Sequence, residues 1–265
     1  MPRFARLQFA AISSRLSAIW PSAKAVGRAL VDLALPPRCL ECEGELPART
    51  ELLLCENCSQ AIAPPLPACC SRCGAVLAEG AWQGGSCWAC KDFSLNFDAV
   101  FPLGRYEGPL REMVLRTKRL SGETVSSALG RLMAQRLGGR LAEFAPRAVM
   151  PVPMHWAKRL MRGVNSTEVL ADCLGRRLGA PVVPSLVRSR YTGPQKDLLP
   201  RERFRNVRGA FRLRRLDRRR WQGERLLLVD DILTTGATCS EIARLLKQAG
   251  AAAVGVAVVA RAHGP

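Results

Sequence analysis

Residues 226–229 (LLLV) are apolar without interruption, and beyond Ala237 the apolar positions Ile242, Leu245 and Leu246 recur at helical spacing. The first stretch reads as a strand buried on both faces and the second as an amphipathic helix, which makes the residues between them a strand-to-helix turn. Residues 148–153 (AVMPVP) read as another strand, closed by a rigid proline turn. A helix over about 165–178, a strand near 182–187 and a last strand over 252–260 continue an alternation of β and α elements. That order predicts an α/β fold, a doubly wound parallel sheet with its ligand at the C-terminal ends of the strands.

The turn carries the most informative chemistry. It reads Asp230-Asp231-Ile-Leu-Thr234-Thr235-Gly236-Ala237-Thr238. Backbone N–H groups from Thr234 to Thr238 at a helix N-terminus favour a phosphate, because the donors there are unpaired and the dipole end is positive. Gly236 lets the backbone approach that anion without a Cβ in the way. Like charges repel, so Asp230 and Asp231 are suited to ribose hydroxyls or to Mg²⁺ rather than to the phosphate itself. Ordinary helix capping explains Thr234 or Thr238 but not two adjacent carboxylates. The expected ligand is a sugar phosphate with free ring hydroxyls.

The cysteines divide the chain. Nine of eleven lie between Cys39 and Cys90, as the pairs Cys39/Cys42, Cys55/Cys58, Cys70/Cys73 and Cys87/Cys90 plus Cys69. Two thiolates at C-x-x-C spacing grip one side of a tetrahedral zinc and a second pair closes it, so eight ligands make two structural Zn²⁺ sites with no open position. A disulfide framework is the alternative. The lack of a cleavable secretory signal and the regular pairs favour metal in a reducing, cytoplasmic setting. Sequential pairing is the simpler topology and interleaved pairing the other; Cys69 competes with Cys70 for one ligand position.

Charge adds a second theme. The formal net charge is +18, and between Arg188 and Arg225 fourteen basic residues face four acidic ones. This basic loop is either a solvated face with the cations a pyrophosphate site needs, or a surface for single-stranded DNA held through its phosphates. Arg218, Arg219 and Arg220 mark an exposed basic turn. Residues 1–31 contain no acid, and Phe9, Ile12, Leu16 and Ile19 fall at helical spacing, though Phe4 and Leu7 lie off that face. Such a segment serves as a membrane-surface or partner-binding helix, a transit peptide, or a helix packed on its own domain. No apolar run in the sequence approaches the roughly 20 residues of a membrane span.

Acidic-acidic-x-x-T-T-G-x-T after an apolar strand resembles the phosphoribosyl pyrophosphate (PRPP) motif of type I phosphoribosyltransferases. The resemblance implies Asp230 and Asp231 as binders of the ribose hydroxyls and Thr234, Thr235, Gly236, Ala237 and Thr238 as the cradle of the 5′-phosphate, with Mg²⁺ accompanying PRPP. It also implies a pyrophosphate-binding loop after strand 148–153, with Lys158, Arg159 and Arg162 as candidate cations. Arg201 and Arg203 join them from the basic loop, which would close as a lid. His155 in the pyrophosphate loop is either a phosphate donor or a solvated residue. Cys239, one residue past the cradle, is either a thiol of lowered pKa or a small packing residue. Purine-salvage members of the family carry an aspartate where Thr234 stands here, which argues against hypoxanthine or guanine salvage and leaves the catalytic base unidentified. No cysteine-initiated glutaminase domain is visible, which argues against amide transfer from glutamine.

Further marks run through most of the chain: Pro36-Pro37-Arg38-Cys39, Tyr106-Glu-Gly-Pro-Leu-Arg111 with Lys118 after it, Pro151-Val-Pro153, Arg162-Gly163-x-Asn165, and Gln195 through Arg201-x-Arg203-x-x-Asn206 to Ala210-Phe211. Together they resemble the ComF family, bacterial proteins that join a cysteine-rich zinc module to a phosphoribosyltransferase-like domain. The family's usual R-G-F-N-Q is Arg162-Gly-Val-Asn-Ser166 here, and its L-K-Y is Thr117-Lys-Arg119. The resemblance runs from about Leu33 to Arg261; with the basic segment 1–31 ahead of it, it implies a double zinc ribbon over 32–95 and a phosphoribosyltransferase-like domain over 96–265. It implies PRPP or a related ribose phosphate as ligand, and a role in natural transformation, handling single-stranded DNA beside a ComF-type helicase ATPase. The competing expectations are transfer of ribose 5-phosphate from PRPP to an unidentified nitrogen acceptor, and a module in which PRPP is only a regulatory signal.

Overall fold

In the computed structural model the described residues are 36–47, 50–77, 87–154, 159, 165–193, 198–214 and 220–262. The chain separates into two compact units, residues 1–55 and 56–265. In the first, a cysteine knuckle is fixed by its own backbone: Cys39 N–H donates to the Gly44 carbonyl at 2.8 Å and Glu43 N–H to the Cys39 carbonyl at 2.9 Å, between bridging residues Arg38 and Glu45.

The second unit repeats that knuckle at Cys70. Cys70 N–H donates to Ala75 and Gly74 N–H to Cys70, both at 2.8 Å, between bridging residues Cys69 and Val76. Its elements then run α1 (Glu56–Ile62), β1 (Ala99–Arg105), α2 (Gly108–Arg116), α3 (Gly122–Phe144), β2 (Ala148–Pro151), α4 (Ser166–Leu178), β3 (Leu186–Arg188), α5 (Pro200–Val207), β4 (Phe211–Leu213), β5 (Arg225–Leu233), α6 (Ala237–Gln248) and β6 (Ala253–Arg261).

Four strands form a parallel sheet in the order β1-β6-β5-β2. The alternation of a strand sends Leu226 and Leu228 to one face, where Val254, Val256 and Val258 join Ile242 and Leu246 of α6 in a single core. The other face is covered by α3 against β1 and β6, and by α4 against β2 and β5. There the Phe101 and Phe144 rings meet edge to face at 5.6 Å. α3 and α4 approach closely because α3 offers Gly130, where a Cβ would come within 2.9 Å of Cys173 Sγ. The fold is thus the expected α/β arrangement with a parallel sheet.

Several local expectations need correction. The strand expected near 182–187 is broken by Pro184: Val182 makes one parallel bridge to Val149, and the chain then leaves the main sheet to pair β3 antiparallel with β4. The basic stretch between Arg188 and Arg225 is not a plain loop, for it contains α5 and β4. Pro200 opens α5, and the Glu202 carboxylate accepts the Leu199 N–H at 2.9 Å. β5 runs past the acidic pair to Leu233, because its ladder with β6 continues through Asp230–Val258 and Ile232–Ala260. The expected elements did not include β1, α2 or α3. Among the described residues no helix is long and apolar enough to cross a membrane, and residues 1–31 lie outside them.

Candidate functional site

Asp230 and Asp231 stand side by side near the C-terminal end of β5. Each uses one oxygen locally: Asp230 Oδ1 accepts the Asp231 N–H at 2.9 Å, and Asp231 Oδ1 accepts the Ile232 N–H at 2.7 Å. The second oxygens look outward from that local pairing. Asp231 Oδ2 meets Lys118 Nζ at 3.4 Å, and Asp230 Oδ2 takes the Cys239 thiol at 3.7 Å. Burial, reinforced by the neighbouring charge of Asp231, pushes the Asp230 carboxyl up to about 8. Near neutral pH the Asp230 carboxyl therefore holds a proton that a bound cation would displace.

The chain turns at Thr234, Thr235 and Gly236 and enters α6 at Ala237. Gly236 is the N-cap, in the left-handed region at φ 77°, and a Cβ there would lie 3.1 Å from the Phe97 ring. Conformation and space both demand glycine. A glycine cap offers no side chain of its own to the first turn of α6. The Thr235 hydroxyl holds Ala237 N–H at 3.4 Å, shaping the turn.

The cation candidates divide. Lys158 and Arg162 lie outside the described residues, as does His155. Arg159 is paired with Glu168 in the first turn of α4 at 2.6 Å. Among the described residues on either side of this loop, the buried Thr167 hydroxyl lies 2.9 Å from both the Val152 carbonyl and Asn165 Oδ1. Arg201 is exposed on α5, and Arg203 Nε holds the Leu198 carbonyl at 3.0 Å. α5 packs beside α6, and its Phe204 stacks on Phe93 at 5.5 Å.

Three residues belong near this site without having been assigned to it. Lys118 was visible only as a family mark. Arg188 lies over the Phe211 ring at 5.5 Å and donates to the Thr192 hydroxyl; burial lowers its pKa while the nearby Asp230 charge opposes that shift. Arg261 gave no sequence signal and reaches the turn from the end of β6. Cys239 is settled as a packing residue: it is buried, and burial with the Asp230 charge raises its thiol far above the ordinary range.

The eight paired cysteines gather in two groups, Cys39/Cys42/Cys55/Cys58 and Cys70/Cys73/Cys87/Cys90, with the sulfurs of each within 4.8 Å of one another. Pairing is therefore sequential. Cys70, fully buried, takes the ligand position, while the Cys69 thiol turns to the Pro67 carbonyl at 3.3 Å. Sulfur separations of 3.7 Å (Cys42–Cys55), 3.5 Å (Cys73–Cys87) and 3.8 Å (Cys87–Cys90) are far too long for disulfides. They suit a tetrahedral ion with Zn–S bonds of about 2.3 Å, whose sulfurs sit roughly 3.8 Å apart. With four thiolates each, such sites close around a structural ion.

The comparisons match these two parts. Residues 30–91 match the double zinc ribbon domain and residues 128–264 the phosphoribosyl transferase domain. The chain is thus a double zinc ribbon joined to a phosphoribosyltransferase fold. It is 31% identical over 229 residues to "Competence protein F" of Haemophilus influenzae (strain KW20 / Rd), covering 85% of this chain and 97% of that one. It is also 31% identical over 231 residues to "DNA utilization protein YhgH" of Escherichia coli K12, covering 84% and 96%. The chain belongs to the ComF family. Among solved structures, the Bacillus subtilis glutamine PRPP amidotransferase complexed with ADP and GMP aligns at TM-score 0.35 and 24% identity, over 55% of this chain and 30% of that one.

Proposed function

We propose that this chain binds PRPP, or a related ribose 5-phosphate, with Mg²⁺ at residues 230–238, and that it serves in handling single-stranded DNA during natural transformation. One observation carries the ligand reading: two adjacent carboxylates lie near the close of a parallel strand that ends at Leu233, three residues before a helix start capped by Gly236. Asp230 and Asp231 accept the ribose hydroxyls and hold the cation. Thr234 to Thr238 cradle the 5′-phosphate. Lys158, Arg159, Arg162, Arg201 and Arg203 supply positive charge to the pyrophosphate.

The DNA reading is supported by what the relatives are called, competence protein F and DNA utilization protein, and by the basic segment 188–225. Some of that charge is structural. Arg190 holds the carbonyls of Asn206 and Arg208, both at 2.9 Å, and Arg225 lies over Phe144 at 4.8 Å. Arg201, Arg205, Arg208 and Arg212 remain exposed for phosphates. In this account the working divisions are 1–31, 32–95 and 96–265. The zinc ions are structural, and a ComF-type helicase ATPase is the partner.

Transfer to a nitrogen acceptor is the second reading; Thr234, standing where purine-salvage enzymes place an aspartate, weighs against hypoxanthine or guanine as that acceptor. Incubating the zinc-loaded protein with Mg²⁺, PRPP and, in turn, ammonia and the free nucleobases as nitrogen acceptors, while following pyrophosphate, separates the two. No pyrophosphate above the rate of spontaneous PRPP decay, with single-stranded DNA binding intact, supports the binding role. Pyrophosphate formed in step with a ribosylated amine would replace it with the enzyme.

A further inference from the structure

The second cysteine cluster and the Thr-Thr-Gly-x-Thr turn share a single buried side chain. Arg261 is 7% exposed, yet its guanidinium contacts two functional regions at once. Nε donates to the carbonyl of Cys73, a member of the cluster, at 2.8 Å. Nη1 donates to the carbonyls of Thr234 at 2.6 Å and Leu233 at 3.1 Å, and also to Ala262. Every one of these acceptors is a backbone carbonyl. A buried guanidinium is costly unless its donors are satisfied, so losing one set of carbonyls forces the group to move.

The chain leaving the cluster adds independent contacts. Asn96 Nδ2 donates to Ser240 Oγ at 2.9 Å in the first turn of α6. Phe97 lies against Gly236, and Phe93 stacks on Phe204 of α5 with the rings 12° from parallel. The knuckle itself is pinned to the sheet edge, where Val100 N–H donates to the Ser71 carbonyl at 2.9 Å. The segment that leaves the cluster therefore touches the turn, the helix that starts from it and the helix beside it.

We propose that Arg261 is a positioning residue that couples zinc in the second cluster to ligand binding at the 230–238 turn, each strengthening the other. With zinc bound, the Cys73 carbonyl is fixed and holds Arg261 where it orders the Leu233 and Thr234 carbonyls, and so directs the N–H groups that follow. With zinc lost, the knuckle loosens and the guanidinium loses its anchor. Coupling between two sites is reciprocal in binding free energy, so the ligand must also tighten that zinc site; by holding the knuckle in its zinc-bound form it is expected to slow the loss of that zinc. The proposal rests on the ribose-phosphate reading of the turn.

The test follows zinc release from the full-length protein to a chromogenic chelator, with excess Mg²⁺, in the presence and absence of PRPP. Freed thiols are alkylated and mapped by peptide mass spectrometry to assign each zinc. Expected is a slowing of at least about fivefold, the low end of ordinary coupling, for the Cys70/Cys73/Cys87/Cys90 zinc alone. The first cluster serves as the internal reference. Arg261→Met should retain two zinc ions and lose the ligand-dependent slowing, which a merely structural role would not produce. The wild-type comparison stands even if that variant does not fold. Calorimetry on the same samples reports whether PRPP binds. Binding with no change in zinc release, or with equal slowing at both clusters, overturns the coupling but leaves the ligand site standing. Absence of binding overturns both.

Discussion

Lys118 Nζ lies 3.4 Å from Asp231 Oδ2, so a residue just beyond α2 supplies the counter-charge to the acidic pair at the end of β5. Both side chains are about three-quarters buried, at 29% and 24% exposure, which keeps the pair from being fully screened by solvent. The lysine balances the carboxylate, and on the proposed ribose-phosphate reading it also offers a positive charge to the ligand. Lys118→Met should therefore weaken Mg²⁺·PRPP binding by roughly tenfold, the low end for a charge-assisted hydrogen bond. It should change the thermal midpoint little, since a partly exposed pair contributes only about 0–1 kcal/mol to stability. Titration calorimetry and a melting curve on the same preparation check both halves.

Asp230 predicts a pH dependence with a definite sign. Its carboxyl is raised from the ordinary range to about 8 in the folded protein. Below about pH 4 folded and unfolded chains both hold the proton, and between about 4 and 8 only the folded chain does. Stability from this group is thus full at low pH and is lost as pH rises through the folded value. Asp230→Asn should flatten that decline in urea unfolding between pH 5 and pH 8, a window set by the linkage of roughly four units of pH. Ligand binding should show the reverse trend, tightening toward pH 8 with proton release that scales with buffer ionisation heat.

The two knuckles differ at one backbone position. Gly74 occupies the left-handed region at φ 71°, and its counterpart in the first ribbon is Glu43 at φ 58°. A non-glycine residue there costs about 1 kcal/mol. Glu43→Gly should stabilise the first cluster by about that amount, seen as slower zinc loss from Cys39/Cys42/Cys55/Cys58. Gly74→Glu should do the opposite at the second cluster, with added crowding because a Cβ would lie 2.8 Å from Val100.

Single-stranded DNA binding should separate from ligand binding. Replacing Arg218, Arg219 and Arg220 by glutamine should lower the slope of log affinity against log salt by about 2, at roughly 0.7 per lost phosphate contact. PRPP affinity should be unchanged, and Asp230→Ala should leave DNA binding intact. Fluorescence anisotropy of a labelled oligonucleotide over a salt series measures this. A slope that does not move places the DNA elsewhere on the surface.

What the sequence made legible was local. The acidic pair, the glycine turn, β5, α6 and β6 are contiguous, and the four C-x-x-C pairs state their own chemistry. β1 was hidden because Pro102 and Gly104 interrupt its pattern, which an edge strand tolerates. α3 was legible but missed: it carries large apolar residues at helical spacing (Val125, Leu129, Leu132, Leu137, Leu141), with small residues such as Gly130 between them where α4 packs close. Arg190 and Arg203 looked like surface charge, yet they hold backbone carbonyls in place. Arg261 reaches the turn, Lys118 reaches Asp231 and Arg188 comes within the influence of the Asp230 charge, all from distant segments that only the fold brings together.

The central claim is that residues 230–238 form a working ribose-phosphate site. Calorimetric titration of PRPP with Mg²⁺ into the zinc-loaded wild type and into Asp230→Ala/Asp231→Ala tests it most directly. Saturable binding by the wild type, lost in a double variant that keeps its fold and both zinc ions, is the predicted result. No binding by the folded, zinc-loaded wild type, or equal binding by both proteins, would contradict the claim.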